Sequence, residues 1–324
     1  MTLRIRVGAG KVRKYPVVAD RPDVVEALRG IYGIEAARGF HLYLDLDELE
    51  PFTEPIPLRM EVVVDGAVAR LDGFELSPFA DLDLLETFSA VPQVMVDFAR
   101  EHLHGRGLEF GALHSPLQVG PDCEMTYADH FLNEELYEVF PEIEEHVRDQ
   151  MVDVELKVDL NTSDLTELVA RDFDFFVANG VMEHLANPTQ FLANVARVMR
   201  PGATLYVAVP DRNYAFDSRR EITPFEHHWR DYECGVTEVE DDHIVDYLVG
   251  VGKEIPDDPE ARAELIEEFR RHTVHAHVWD EESFAAFLRT ADERVPLGLD
   301  LVAFAGPREA EGNIIAVLRK RAGA

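Results

Sequence analysis

The chain has 324 residues, 46% of them hydrophobic, which is enough for a packed core and excludes global disorder. A formal charge of −32, from 63 acidic against 31 basic residues, repels phosphate backbones and anionic membranes. No Lys/Arg cluster offsets that field, so nucleic acid is not an expected partner. Cys123 and Cys234 stand far apart, which argues against a disulfide scaffold or a thiolate metal site and for a reducing compartment. MTLRIRVGAG has no apolar signal core, and no apolar run reaches the length of a membrane span. The expectation is a soluble, cytoplasmic protein without integral membrane association.

Residues 3–76 read as short strands: LRIRV, KYPVV, FHLYLDL, LRMEVVVDG and AVARLDGFEL. Phe40, Leu42 and Leu44 alternate with His41, Tyr43 and Asp45, and Asp65-Gly66 is a favoured two-residue hairpin turn. One helix-like piece, residues 22–31, interrupts them. The pattern predicts a small β-sandwich-like domain over 1–78, closed by Ser77-Pro78. It holds no paired carboxylates and no histidine pair, so it reads as an accessory domain.

A larger α/β domain is expected over 79–324. Leu82, Leu84, Leu85 and Phe88, then Val91, Val94, Met95 and Phe98, recur at helical spacing, with Pro92 splitting them into two helices. Strands follow at 108–110, 125–128, 155–158, 173–178 and 204–209, with helices over 133–147 and 188–199 between them. Asn133 is a candidate N-cap. The fourth strand is apolar on both faces, as a central parallel strand must be. Two last strands at 299–305 and 313–318 complete a doubly wound, mostly parallel, seven-stranded sheet. Asp280 caps a helix that starts at Glu281. Residues 212–272 break the alternation with ITPFEHHWRDY and two helical runs, and read as a helical cover.

Several constellations carry chemistry. In Glu109-Phe110-Gly111-Ala112-Leu113-His114, a strand runs into a glycine loop, where backbone approaches a ligand and a following turn holds a negative group. Asp129 ends the next strand about 20 residues on, where a carboxylate accepts hydrogen bonds from ribose hydroxyls. Asp159 follows the third strand in a similar position. An ordinary strand exit and surface carboxylates are the competing readings of these three. After the fourth strand come Asn179, Glu183 and His184. An imidazole beside a carboxylate there is placed to take a proton from a hydroxyl; equally, either group can simply brace the loop.

The stretch DFDFFVANGVMEHLANP, with EFGALHSPL and TYADH before it and VMRPGATLYVAVPD after it, resembles class I S-adenosylmethionine (SAM) dependent methyltransferases. The resemblance covers roughly residues 107–210, and more loosely 273–318. It implies a Rossmann-like fold and SAM as cofactor. It also implies that Asn179, Glu183 and His184 border the donor methionine and the acceptor; by their own positions Glu109, Gly111, Ala112, Leu113, His114, Asp129 and Asp159 are the other expected donor contacts, and Glu183 and His184 the expected catalytic pair. The first loop keeps one glycine where the family commonly has more. A dinucleotide enzyme would need GxGxxG there, which is absent. The segments around RPDVVEAL and GIEAARGFHLYLDL resemble modules beside bacterial glycan-modifying enzymes.

His227, His228 and Asp231, then His272, His275 and His277, form a further collection. The first reading is a polar acceptor pocket with no metal, in which His227 supplies a base. The alternative is a divalent ion on His227, Asp231, His275 and His277. Tyr214, Trp229, Tyr232 and Trp279 either face a sugar ring or fill the core of the cover. The expected reaction is O-methylation of a small-molecule, sugar-nucleotide or glycan acceptor. N- or C-methylation of a specialised metabolite and a catalytically silent binding module are the alternatives. A homo-oligomer is open, since no heptad or repeat compels one.

Overall fold

The computed structural model describes residues 2–7, 13–16, 56–64, 67–76, 91–139, 151–169, 172–271 and 274–323. Internal packing divides the chain into two units, Met1–Thr87 and Phe88–Ala324.

The first unit contains β1 (Thr2–Val7), β2 (Arg13–Pro16), β3 (Ile56–Val64) and β4 (Ala67–Leu76), an antiparallel sheet in the order β2-β1-β3-β4. Val64 pairs with Ala67, so the β3–β4 connection has the two-residue length expected of Asp65-Gly66. One sheet is present among the described residues. The FHLYLDL strand and the helix at 22–31 lie outside them.

The second unit is built on a seven-stranded sheet: β5 (Gly105–Phe110), β6 (Cys123–Asp129), β7 (Leu156–Lys157), β8 (Phe175–Asn179), β9 (Thr204–Pro210), β10 (Leu299–Ala305) and β11 (Asn313–Lys320). The order is β10-β11-β9-β8-β5-β6-β7, parallel except for β11, which runs antiparallel to both its neighbours. Phe175, Phe176, Val177 and Ala178 of β8 are fully buried, because helices cover both faces of the sheet there. α1 (Gln93–His102) starts directly after Pro92, as the ring of a proline at the helix edge allows. The preceding helical run lies outside the described residues.

α2 (Asn133–Val139) corrects one expectation. Asn133 does not cap it: its amide donates to the Val152 carbonyl and accepts from Val154 N–H, so it staples the strand β7 approach instead. A short α3 (Leu165–Leu168) follows, capped by Asp164. α4 (Pro188–Val198) begins with Pro188 in its first turn and with Asn187 accepting from Gln190 N–H, a strong start signal that also reaches outward: the Asn187 amide donates to the Asp231 carbonyl at 2.9 Å. α5 (Phe225–Cys234), α6 (Asp241–Gly250) and α7 (Pro259–Arg271) make up most of the predicted cover; Ile244, Tyr247, Leu248, Ile266 and Val274 form a core between α6, α7 and the segment after α7, while Phe225 and Tyr232 of α5 pack against the core of the sheet. α8 (Glu281–Arg294) has the Asp280 cap, completed by Ser283 into a reciprocal capping box. No helix among the described residues is long and apolar enough to cross a membrane.

The chain leaves β5 toward β6 and leaves β8 toward β9, in opposite directions along the sheet, and the carboxyl ends of strands at such a reversal are where doubly wound sheets in general bind ligands.

Within the cover, Arg220 is buried between Asp217 (2.7 Å) and Asp246 (2.8 Å). A Cβ on Gly250 of α6 would fall 2.4 Å from Arg220 Cγ. Gly250→Ala is expected to destabilise the fold by about 1–3 kcal/mol, because the ion pairs hold the clashing methylene in place. That figure is net of the up to ~1 kcal/mol that alanine gains over glycine inside a helix. A thermal melt checks it; an unchanged Tm would mean that Arg220 is not held.

Candidate functional site

Parallel register sets the first half of the site. Phe110 lies beside Ala128 on one side and Ala178 on the other. Gly111, Asp129 and Asn179 therefore leave three adjacent strands side by side, at the usual spacing of about 4.8 Å per strand. Asp129 in turn pairs with Lys157, two residues before Asp159. The expected donor residues thus share one edge of the sheet.

Their individual environments differ. Glu109 is buried, and both its oxygens accept from Leu117 N–H, at 3.0 and 3.2 Å. Burial pushes its pKa up to about 8, with the Leu117 bond acting against the shift. Gly111 has φ +67° and donates its N–H to the Ala128 carbonyl, and Leu113 also lies at positive φ, +47°. Two left-handed positions so close together make a sharply curled loop, strained at the leucine. His114 follows, with its Nε2 buried and without a hydrogen-bond partner, and burial lowers its pKa. Asp129 accepts from His130 N–H at 2.6 Å, and burial raises its pKa. Asp159 is occupied locally: its oxygens take Asn161 N–H and Thr162 Oγ1–H, closing its own turn.

Glu183 and His184 sit in a 3-10 turn, Met182–His184, two residues after Gly180. His184 Nδ1 lies 2.9 Å from the Val274 carbonyl, which only accepts, so Nδ1 carries the proton and Nε2 keeps its lone pair. Burial first, then the neighbouring His275, pushes the His184 pKa down to about 3. Nε2 lies 3.8 Å from Glu183 Oε1. Glu183 is almost fully buried, and its Oε2 has no hydrogen-bond partner. Desolvation raises its pKa to about 7, with His275 pulling it back. The Glu183 carbonyl accepts from both Ala276 and His277 N–H. Behind this pair, His275 Nδ1 meets Asp217 at 2.5 Å, and Asp217 holds Arg220. The pKa of Asp217 stays below the ordinary value because its bond to His275 and the charges of His275 and Arg220 outweigh the largest single influence, desolvation.

A second group of histidines lies under the cover. His227 Nε2 is 2.9 Å from His243 Nε2 and 3.2 Å from Asp231 Oδ2. The His277 ring faces both histidines, with centroids 4.9 Å from His243 and 5.9 Å from His227. His228 is fully buried and stacked on Trp279, at 5.2 Å and 11°, and so serves the core. Trp279 is buried as well, which leaves it no face for a sugar.

The structure thus brings Glu183, His184 and His275 together, and separately His227, Asp231 and His277. His275 is not part of the His227 group, although it stands two residues from His277 on an extended segment, because Asp217 holds its ring. His227 groups with Asp231 rather than with Glu183 and His184. Sequence reasoning missed His243, Asp217 and Arg220. All three stand in acidic or irregular runs where no spacing singles them out, and each is recruited only by packing.

Residues 124–207 match the family model described as "Methyltransferase domain". No curated protein matches the chain. Solved structures with loose likeness include the CurJ carbon methyltransferase, at 14% identity and TM-score 0.40, covering 76% of this chain and 60% of that one. Another is human N-acetylserotonin methyltransferase in complex with SAM, at 12% and 0.36, covering 71% and 51%. A third is the N-methyltransferase NodS from Bradyrhizobium japonicum WM9 with S-adenosyl-L-homocysteine, at 13% and 0.35, covering 70% and 84%. The chain spans under two thirds of the first two. Likenesses this loose decide neither donor nor acceptor.

Proposed function

We propose, from the premise that the chain carries a SAM-dependent methyltransferase domain, that the methyl group goes to a hydroxyl oxygen of a sugar or glycan. The observation that carries the oxygen reading is the pair after β8: a neutral imidazole with an open Nε2 lone pair, 3.8 Å from a buried carboxyl whose pKa is raised to about 7. Transfer to oxygen needs a proton accepted as the bond forms, and a group that titrates near the working pH is best matched to that task.

The residues fit the cofactor. Gly111 puts no side chain between its backbone and a bound group, the buried His114 Nε2 lacks a partner, and Asp129 ends the neighbouring strand as a ribose-binding carboxylate does. SAM, when bound, supplies an electrophilic methyl group. Glu109, Gly111, Ala112, Leu113, His114, Asp129 and Asn179 are assigned to hold it. Asp159, already engaged in its turn, is assigned to the rim.

On the acceptor side, His184 Nε2 accepts a hydrogen bond from the hydroxyl and orients it. Its pKa of about 3 makes it too weak to retain the proton. Glu183, with a pKa of about 7, is assigned to hold that proton. His275 and Asp217 are positioning residues behind the pair.

The sugar reading is supported by the resemblance of segments in residues 1–78 to modules beside glycan-modifying enzymes. That domain is assigned an accessory role. The net charge of −32 supports a neutral or sugar-like acceptor over a nucleic acid, and the two free cysteines support a cytoplasmic location.

His184→Ala is expected to lower kcat about 10- to 100-fold while changing the Kd for SAM less than threefold, the usual range for a hydrogen-bonding partner in proton transfer. Steady-state kinetics with labelled SAM and calorimetric titration separate the two. Full activity across the pH range would return His184 to a bracing role. The acceptor class is tested by screening sugar nucleotides, glycans and small metabolites for methyl uptake. Turnover confined to amines or carbon nucleophiles would overturn the oxygen reading.

A further inference from the structure

We propose that His227, His243, His277 and Asp231 form a structural zinc site that pins the helical cover to the loop bearing Glu183. The site draws on three separate segments. α5 supplies His227 and Asp231 one turn apart, α6 supplies His243, and the extended segment 274–278 supplies His277. One nitrogen from each of the three histidines lies within 4.8 Å of the others. Tetrahedral zinc, with Zn–N near 2.0–2.1 Å, needs about 3.3–3.4 Å between donors, so small ring rotations complete the arrangement.

The polar bookkeeping of the cluster favours a cation. His227 Nε2 and His243 Nε2 face each other at 2.9 Å, so one proton at most lies between them. Asp231 Oδ2 is buried 3.2 Å from the same His227 nitrogen, which has at most one proton to share between Asp231 and His243. Both ring nitrogens of His277 are buried, and its ring hydrogen-bonds the Ala186 backbone, which leaves one nitrogen open. Three imidazole nitrogens converge, with the Asp231 carboxylate against His227, and too few protons lie among them to satisfy every acceptor. A buried polar atom left unsatisfied is costly, and one divalent ion would satisfy these groups together.

The surroundings match those of a metal ligand set. A backbone hydrogen bond to Ala276 holds the His243 ring, the kind of outer contact that orients a ligating imidazole. Arg230 donates to Asp231 Oδ1 at 3.0 Å in the same way. It is also the cation nearest the cluster among the described residues, 3.4 Å from His227 Nε2, but Glu240 holds it at 3.2 Å on the exposed side. Imidazole and carboxylate donors suit zinc and its neighbours in the first row. Four protein ligands leave no open position, which makes the site structural. Its link to the reaction centre is one hydrogen bond: His277 N–H donates to the Glu183 carbonyl at 3.1 Å.

The test uses the full chain purified without an affinity tag, stripped with chelator, and reloaded with Zn²⁺ or Co²⁺. Elemental analysis is expected to find about one zinc per chain. The Co²⁺ form is expected to show the intense visible bands of four-coordinate cobalt, and zinc is expected to raise Tm by several degrees, as binding to the folded state must. His243→Ala is expected to lose at least tenfold in zinc affinity, whereas His275→Gln retains one equivalent. Less than a tenth of an equivalent after reloading, with no cobalt bands, would overturn the proposal. So would wild-type affinity in His243→Ala. The cobalt spectrum of the unmutated chain decides the matter even if that variant fails to fold. None of these readouts depends on the acceptor or on methyl transfer.

Discussion

Gly111→Val is expected to abolish SAM binding, with at least a 100-fold rise in Kd, in a protein that still folds. Gly111 holds φ +67°, a region that costs a β-branched residue roughly 1–2 kcal/mol or more. Its Cβ would also lie 3.1 Å from Val181 Cγ2, on the loop that leads to Glu183. The chain relieves both by moving the loop, and Leu113, already strained at φ +47°, gives it little room to do so. Glycine is the residue that lets backbone pass close to a bound group, so displacement here costs donor binding directly. Gly111→Ala grades the effect: smaller clash, same strained φ, intermediate Kd. Calorimetric titration with SAM and with S-adenosylhomocysteine measures both variants, and circular dichroism confirms the fold. An unchanged Kd in folded Gly111→Val would remove this loop from the donor site.

Glu183→Gln is expected to lower kcat by about 100- to 1,000-fold with SAM affinity preserved, in line with loss of a proton acceptor from the reaction centre. The amide keeps the size and can still hydrogen-bond, but it cannot take a proton. In the unmodified enzyme, kcat/KM is expected to rise with pH through about 7, where the buried carboxyl ionises, and to level off above it. The variant is expected to lose that rise. Stability moves the other way. The folded pKa lies above the ordinary 4.5, so the folded state holds the proton more tightly between these values. The contribution of Glu183 is therefore fully present below about 4.5 and is lost as pH rises through about 7. Glu183→Gln is expected to melt later than the unmodified protein at pH 8, and similarly at pH 5. An activity loss without the change in pH profile would make Glu183 a brace for the loop.

Much of this was legible in the residues themselves. β8 announces a central strand because FFVAN has no polar face to offer water, and Asp280 announces α8 because a capping side chain must precede the first turn. Asn133 misled because the same side chain that caps a helix can also bind an extended neighbour, and only the approach of residues 152–154 decides between them. For Gly111, Asp129 and Asn179, position at strand ends was enough, because a parallel register brings such ends together whatever lies between.

The histidines show where that reasoning stops. His275 and His277 stand two apart and invite one site, yet Asp217, some 58 residues away in sequence, takes the first, while His243 joins the second from an acidic helix. Local pattern determined the sheet, its order of alternation and the strand ends where the candidate donor residues gather, since these follow from hydrophobic period and turn chemistry. Which imidazoles meet, which carboxyl is driven toward neutral pH and which polar atoms are left unsatisfied were decided by the tertiary structure alone, because burial and long-range approach set them and neither is written in spacing.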